Sequence, residues 1–154
     1  MTRDEVEIFF ADSVPESWFV GRPSVELDDE EVLCVGTLPE GSSVEDFRES
    51  TRAARVGIAR EAESRFGRKV SWGVELGGRT TLFTTLSTPV MTRLRLPERA
   101  TLDTLIDAGV ARSRSEALAW CVKLVRRHQA EWLADLRTAL VGVERVRAEG
   151  PRAI

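Results

Sequence analysis

The sequence predicts an α+β protein in two parts: an acidic N-terminal domain of α/β or α+β type over residues 1–88, and a strand-helix-helix module over residues 89–127 that runs on into a helical extension over residues 128–154. Three observations predict it. Two β-rich runs flank Gly77-Gly78 after a long helical stripe, the stretch Thr92–Leu96 alternates apolar and basic residues, and Ser113-Arg-Ser-Glu116 writes a helix start ahead of a second long stripe. At 154 residues and 42% hydrophobic content the chain can bury a real core, and the strand-helix-helix segment is too short to be the whole of it.

In the N-terminal part, Val6–Phe10, Trp18–Val20 and Glu31–Leu38 read as strands, the last with the most buried character. Asp28–Glu31 reads as a solvated acidic turn, because four adjacent carboxylates without a glycine-containing ligand loop do not specify a cation cage. Pro39-Glu-Gly-Ser-Ser43 breaks the pattern, and a helix follows from Val44 to Phe66 with Val44, Phe47, Ala54, Ile58 and Ala62 on one face. Arg48, Arg52 and Arg55 form a basic row beside that stripe and read as a solvated flank paired with Glu45 and Glu49. Lys69–Leu76 and Arg79–Leu86 then form a hairpin about Gly77-Gly78. No helix follows those glycines to hold a phosphate, so they do not read as a nucleotide loop. Ser87-Thr-Pro89 is the joint between the two parts.

In Thr92-Arg-Leu-Arg-Leu96 the pleat sends Leu94 and Leu96 to one face and Arg93 and Arg95 to the other, so that one face wants a core and the other an anion. A lone strand of five residues has no ladder partner, and the simplest partner is the same strand of a second chain. Pro97 ends the ladder and suits the first turn of a helix. That helix is expected from about Glu98 to Ala108, with Gly109 at its left-handed end. The capping box Ser113–Glu116 opens the next helix, its serine and glutamate satisfying first-turn amides.

Arg93-Leu-Arg-Leu-Pro97, Gly109 and Arg114-Ser-Glu-Ala-Leu118, in this order, resemble a ribbon-helix-helix DNA-binding domain of the Arc and methionine-repressor type, over roughly residues 90–127. The resemblance implies an obligate homodimer whose paired strands enter the major groove of double-stranded DNA. It implies that Met91, Arg93 and Arg95 meet base edges and that Ser113, Arg114 and Ser115 hold a phosphate at the start of the second helix. Arginine's planar fork suits the O6/N7 edge of guanine, which predicts half-sites containing G. The interval from Pro97 to Gly109 departs from the usual pattern by looking about one turn short for the first helix.

Charge distribution agrees with a nucleic-acid partner for the second part only. The net charge is -3, but residues 1–88 carry ten Arg/Lys against seventeen Asp/Glu, and residues 89–154 carry twelve against eight. Enzymatic function finds no support: His128 is the single histidine, no nucleophile motif is present, and no Cys/His cluster offers metal ligands, so no cofactor is expected. Cys34 and Cys121 lie far apart in apolar contexts and read as buried thiols. With a charged start at Met1–Glu5 and no long apolar run, the chain is expected to be cytoplasmic and to have no membrane partner.

After the second helix start, Leu118, Cys121, Val122, Val125, Trp132, Leu136, Leu140 and Val143 continue a helical stripe that needs cover, with a break near His128 permitted. The expected function is a homodimeric, sequence-specific DNA-binding protein acting as a transcriptional repressor. Architectural DNA binding in a nucleoid or plasmid-partition role, or an antitoxin-like interaction role in which the strands serve only to dimerise, are the alternatives. A higher oligomer of dimers, and a ligand or protein partner for the N-terminal domain, remain open.

Overall fold

The computed structural model describes residues 2–150, and within them the chain is α+β, with a four-stranded sheet and six helices. It divides into two compact units, Met1–Val90 and Met91–Ile154. Met1 and residues 151–154, the end of the expected C-terminal extension, lie outside the described residues. Among the described residues no helix is long and apolar enough to cross a membrane.

The first unit begins with α1 (Arg3–Ser13), where the sequence pattern had read a strand at Val6–Phe10. The correction has a local cause. Thr2 and Glu5 form a reciprocal capping box, and Val6, Phe9 and Phe10 recur at the i, i+3, i+4 spacing of a buried helix face while Ile8 stays exposed. Trp18–Val20 is a turn and not a strand, tied to the sheet by one bond from the Val20 amide to the Thr37 carbonyl at 2.8 Å.

The sheet contains β1 (Ser24–Leu27), β2 (Glu31–Thr37), β3 (Lys69–Leu76) and β4 (Arg79–Leu82), in spatial order β1-β2-β3-β4. The two outer pairs are antiparallel, and β2 with β3 is parallel. A parallel pair needs a crossover, which α2 (Val44–Ser50) and α3 (Arg52–Phe66) supply. The acidic turn between β1 and β2 is held by Asp28, whose carboxylate accepts the Glu30 and Glu31 amides. Those bonds hold its pKa below the ordinary carboxylate value.

The single helix expected over Val44–Phe66 is two helices. At the joint, the Ser50 and Thr51 hydroxyls donate back to the Asp46 and Phe47 carbonyls at 2.7 and 2.6 Å, and Thr51 closes α2 and opens α3. Arg55 also departs from the solvated basic row, being only 6% exposed. Its Nε donates to Thr51 Oγ1, its Nη2 donates to the Arg48 carbonyl, and its guanidinium lies 4.7 Å from the Phe83 ring centroid. Burial first, then the charges of Arg48 and Arg52, lower its pKa from the ordinary arginine value.

The Gly77-Gly78 hairpin forms as expected, both glycines at positive φ as a tight primed turn requires. Its second strand ends at Leu82, four residues short of expectation, because the Thr84 hydroxyl takes the Trp72 amide that a continued ladder would pair. The core joins Val6, Phe9 and Phe10 of α1 to Val32, Cys34, Trp72 and Val74 of the sheet, and Ala62 of α3 completes it. Burial pushes the Cys34 thiol up to about 12, an inert buried sulfhydryl, while Cys121 is half-buried; both are free.

Phe19 lies over β2 at Gly36, where an added Cβ would come within 2.2 Å of the ring. Gly36→Ala is therefore expected to lower the stability of the first unit by about 1–3 kcal/mol through overpacking. Denaturant unfolding followed by tryptophan fluorescence measures it.

Candidate nucleic-acid interface

The second unit contains α4 (Leu96–Asp107), α5 (Arg114–His128) and α6 (Ala130–Glu149). Pro97 occupies the first turn of α4, which starts two residues before the expected Glu98. Gly109, at φ +75°, ends the turn beyond α4, and the Val110 and Ala111 amides fold back to the Leu105 carbonyl. Leu102, Ala111 and Ala117 form a small core, with Leu94, Leu105, Leu118 and Cys121 packed against it. The α4–α5 pair is thus closed over this core, and Leu94, from the segment before α4, packs against it.

Residues 91–95 precede this pair without a ladder partner among the described residues. Leu94 turns into the small core, but Leu96 does not share its face as the alternation predicted. It is the first residue of α4 and 70% exposed, since Pro97 commits the backbone to helix one residue earlier than a five-residue strand allows. Met91 is 93% exposed, and Arg93 and Arg95 are both exposed. Neither arginine side chain has an ion pair or hydrogen bond among the described residues. Arg99, which the motif reading missed, anchors this segment. Its side chain donates to the Leu94 carbonyl at 2.6 Å and its amide donates to the Arg95 carbonyl at 3.1 Å.

At the start of α5 the Ser113 hydroxyl accepts the Glu116 amide at 3.2 Å, as the capping box requires. The glutamate reaches one residue further back than expected, its carboxylate accepting the Arg112 amide at 2.8 Å. A helix start leaves its first amides without intrahelical acceptors, so Arg114 and Ser115 present theirs outward beside the Ser113 hydroxyl. The Arg114 side chain is otherwise engaged: its fork grips both oxygens of Asp103 on α4, each at 2.8 Å. No short-range spacing pairs these two residues, eleven apart, and sequence reasoning missed Asp103 for that reason.

The Arg114 fork holds the Asp103 carboxyl below its ordinary range, and Asp103 in turn raises Arg114. A depressed carboxylate pKa contributes stability above its unfolded value that is lost as pH falls through the folded one. Asp103→Asn should therefore lower the unfolding midpoint of the second unit at pH 7 and leave it unchanged once the pH falls well below about 4. Thermal melts followed by circular dichroism across that range measure the difference.

The chain matches two families in succession, one described as "Rv1265-like protein, N-terminal domain" over residues 4–82 and one as "Mb1296 C-terminal domain" over residues 95–147. It is 55% identical over 155 residues to "Uncharacterized protein Rv1265" of Mycobacterium tuberculosis and equally so to "Uncharacterized protein Mb1296" of Mycobacterium bovis; each match covers 93% of this chain and 69% of the relative. No solved structure matches.

Proposed function

We propose that this chain, which belongs to the family of Rv1265-like proteins, is a homodimeric, sequence-specific DNA-binding protein that acts as a transcriptional repressor through a ribbon-helix-helix module. The observation that carries the proposal is the segment Met91–Arg95. It places two exposed arginines without ion-pair partners on backbone that has no ladder, directly before a helix pair whose second member opens with a capped, amide-presenting turn. Each feature asks for something one chain does not supply.

Two copies would pair these segments as an antiparallel ribbon. Backbone amides and carbonyls of Met91–Arg95 satisfy each other across the twofold, and Leu94 of each copy stays on the core side. Arg93 and Arg95 then project from the opposite face, four guanidinium groups per dimer, spaced to read base edges in a major groove. Met91 continues that outward row and supplies apolar contact.

Positioning falls to the start of α5. The amides of Arg114 and Ser115, together with the Ser113 and Ser115 hydroxyls, suit a phosphate oxygen. The Arg114 side chain orients the helix start by holding Asp103. The acidic N-terminal domain lowers non-specific attraction to phosphate, so base contacts carry a larger share of the affinity.

Selection of bound duplexes from a random pool tests the proposal, with the target recovered expected to be a G-containing inverted or direct repeat. Arg93→Ala and Arg95→Ala should each weaken binding to that target by about 1–3 kcal/mol and relax preference at one base pair of the half-site. Ser113→Ala should weaken selected and unrelated duplexes alike. No enriched sequence, or equal affinity in both arginine variants, overturns it. Enrichment of base composition without a defined motif would instead favour the architectural role.

A further inference from the structure

The helix α6 has no buried residue over its twenty positions. A helix of that length draws most of its stability from packing an apolar face, and α6 carries one: Leu133, Leu136, Leu140 and Val143 follow each other at the alternating three- and four-residue steps of a helix-pairing seam, flanked by Trp132 and Val146. All of these but Leu133 are exposed. On α5, Trp120, Val122, Leu124 and Val125 are exposed as well.

We infer that the apolar face of α6 packs against the same face of a second copy of this chain. This is an assembly surface separate from the strand segment at Met91–Arg95 and does not rest on the DNA-binding proposal. Exposure argues for it. Trp132, Leu136, Leu140, Val143 and Val146 are 43–62% exposed along one side of one helix, a contiguous apolar surface of the kind that marks an interaction site.

Charge selects the occupant. The remaining surface of α6 mixes four carboxylates, Glu131, Asp135, Glu144 and Glu149, with Arg137, Arg145 and Arg147. A helix that lies on anionic lipid carries a cationic polar face, and this one is close to neutral. The same near-neutrality lets two copies approach without net repulsion, and the seam repeats one residue class along its length, so an identical face is a fitting complement. The main chain closes the account: α5 ends and α6 begins at Gln129, where the break lets α6 leave the α4–α5 pair as a separate arm.

Sedimentation velocity of the full chain over a range of micromolar concentrations tests the inference, with Leu136→Glu/Leu140→Glu and Leu136→Ala/Leu140→Ala compared with the wild type. The alanine pair keeps helix propensity and removes only contact, so a loss of mass in it is not a loss of helix. Both variants are expected to shift the wild-type assembly to a smaller one, with self-association at least about tenfold weaker. An Arg93→Ala/Arg95→Ala chain should keep the wild-type mass, which separates failure of this surface from failure of DNA recognition. Unchanged mass in both leucine variants overturns the inference. So does a monomeric wild type, or a leucine variant that keeps its mass but loses either thermal stability of the N-terminal unit or binding to vesicles containing phosphatidylglycerol; the first outcome would mean the face packs on its own chain, the second on lipid.

Discussion

Backbone amides and carbonyls need partners, and the residues just before α4 pair with no strand among the described residues. The DNA-binding proposal depends on that constraint. Pro97, in the first turn of α4, offers no amide to a carbonyl of an earlier turn, and Arg95 before the helix is extended, so the segment does not continue α4 as more helix. Arg99 then fixes the segment's exit by holding the Leu94 and Arg95 carbonyls, and Leu94 anchors it to the small core. What is left is a short extended stretch with its polar edges in water and its arginines outward. A second copy of the same stretch satisfies those edges and aligns the arginines in one act, which makes dimerisation and recognition a single event in the proposed mechanism.

The helix pair behind the segment is small, with three buried residues, so it relies on directed polar contacts for its geometry. The Asp103–Arg114 fork links α4 to the first turn of α5, and Glu116 ties the incoming loop through the Arg112 amide. Both contacts are exposed and contribute little to stability on their own. Their consequence is orientation: they set the angle at which the open amides of α5 face outward relative to the outgoing strand segment. The first unit is built differently, around aromatic packing of Phe9, Phe10, Trp18, Phe47, Phe66 and Trp72 on a twisted four-stranded sheet, with edge-to-face ring pairs at 5.3–6.3 Å. Its buried Arg55 needs no carboxylate because a carbonyl, a hydroxyl and an aromatic face surround the guanidinium.

Much of this was legible in the residues. The Gly77-Gly78 hairpin, the β2 strand and the capped start of α5 each rest on a local signal, a glycine pair, an apolar run, and a serine three before a glutamate, whereas the stripe through His128 permitted one helix or two. Val6–Phe10 was misread because a run of five apolar and acidic residues fits either period, and the decisive Thr2–Glu5 cap lies outside the run. The split at Thr51 and the burial of Arg55 were not legible, since hydroxyl back-bonding and the ring of Phe83, far along the chain, decide them. In the candidate interface the arginines, Met91 and Ser113 stood out by spacing. Arg99 and Asp103 did not, because their roles come from tertiary contacts across a turn.

The central claim is that residues 91–95 become a paired strand between two copies. Amide hydrogen exchange resolved over this segment, measured as the chain is concentrated through its association range, tests it most directly. The account predicts that alternate amides of the segment become protected together as the dimer forms, at the same concentration at which the mass rises. Amides in this segment that exchange as fast in the assembled protein as in the dilute one would contradict it.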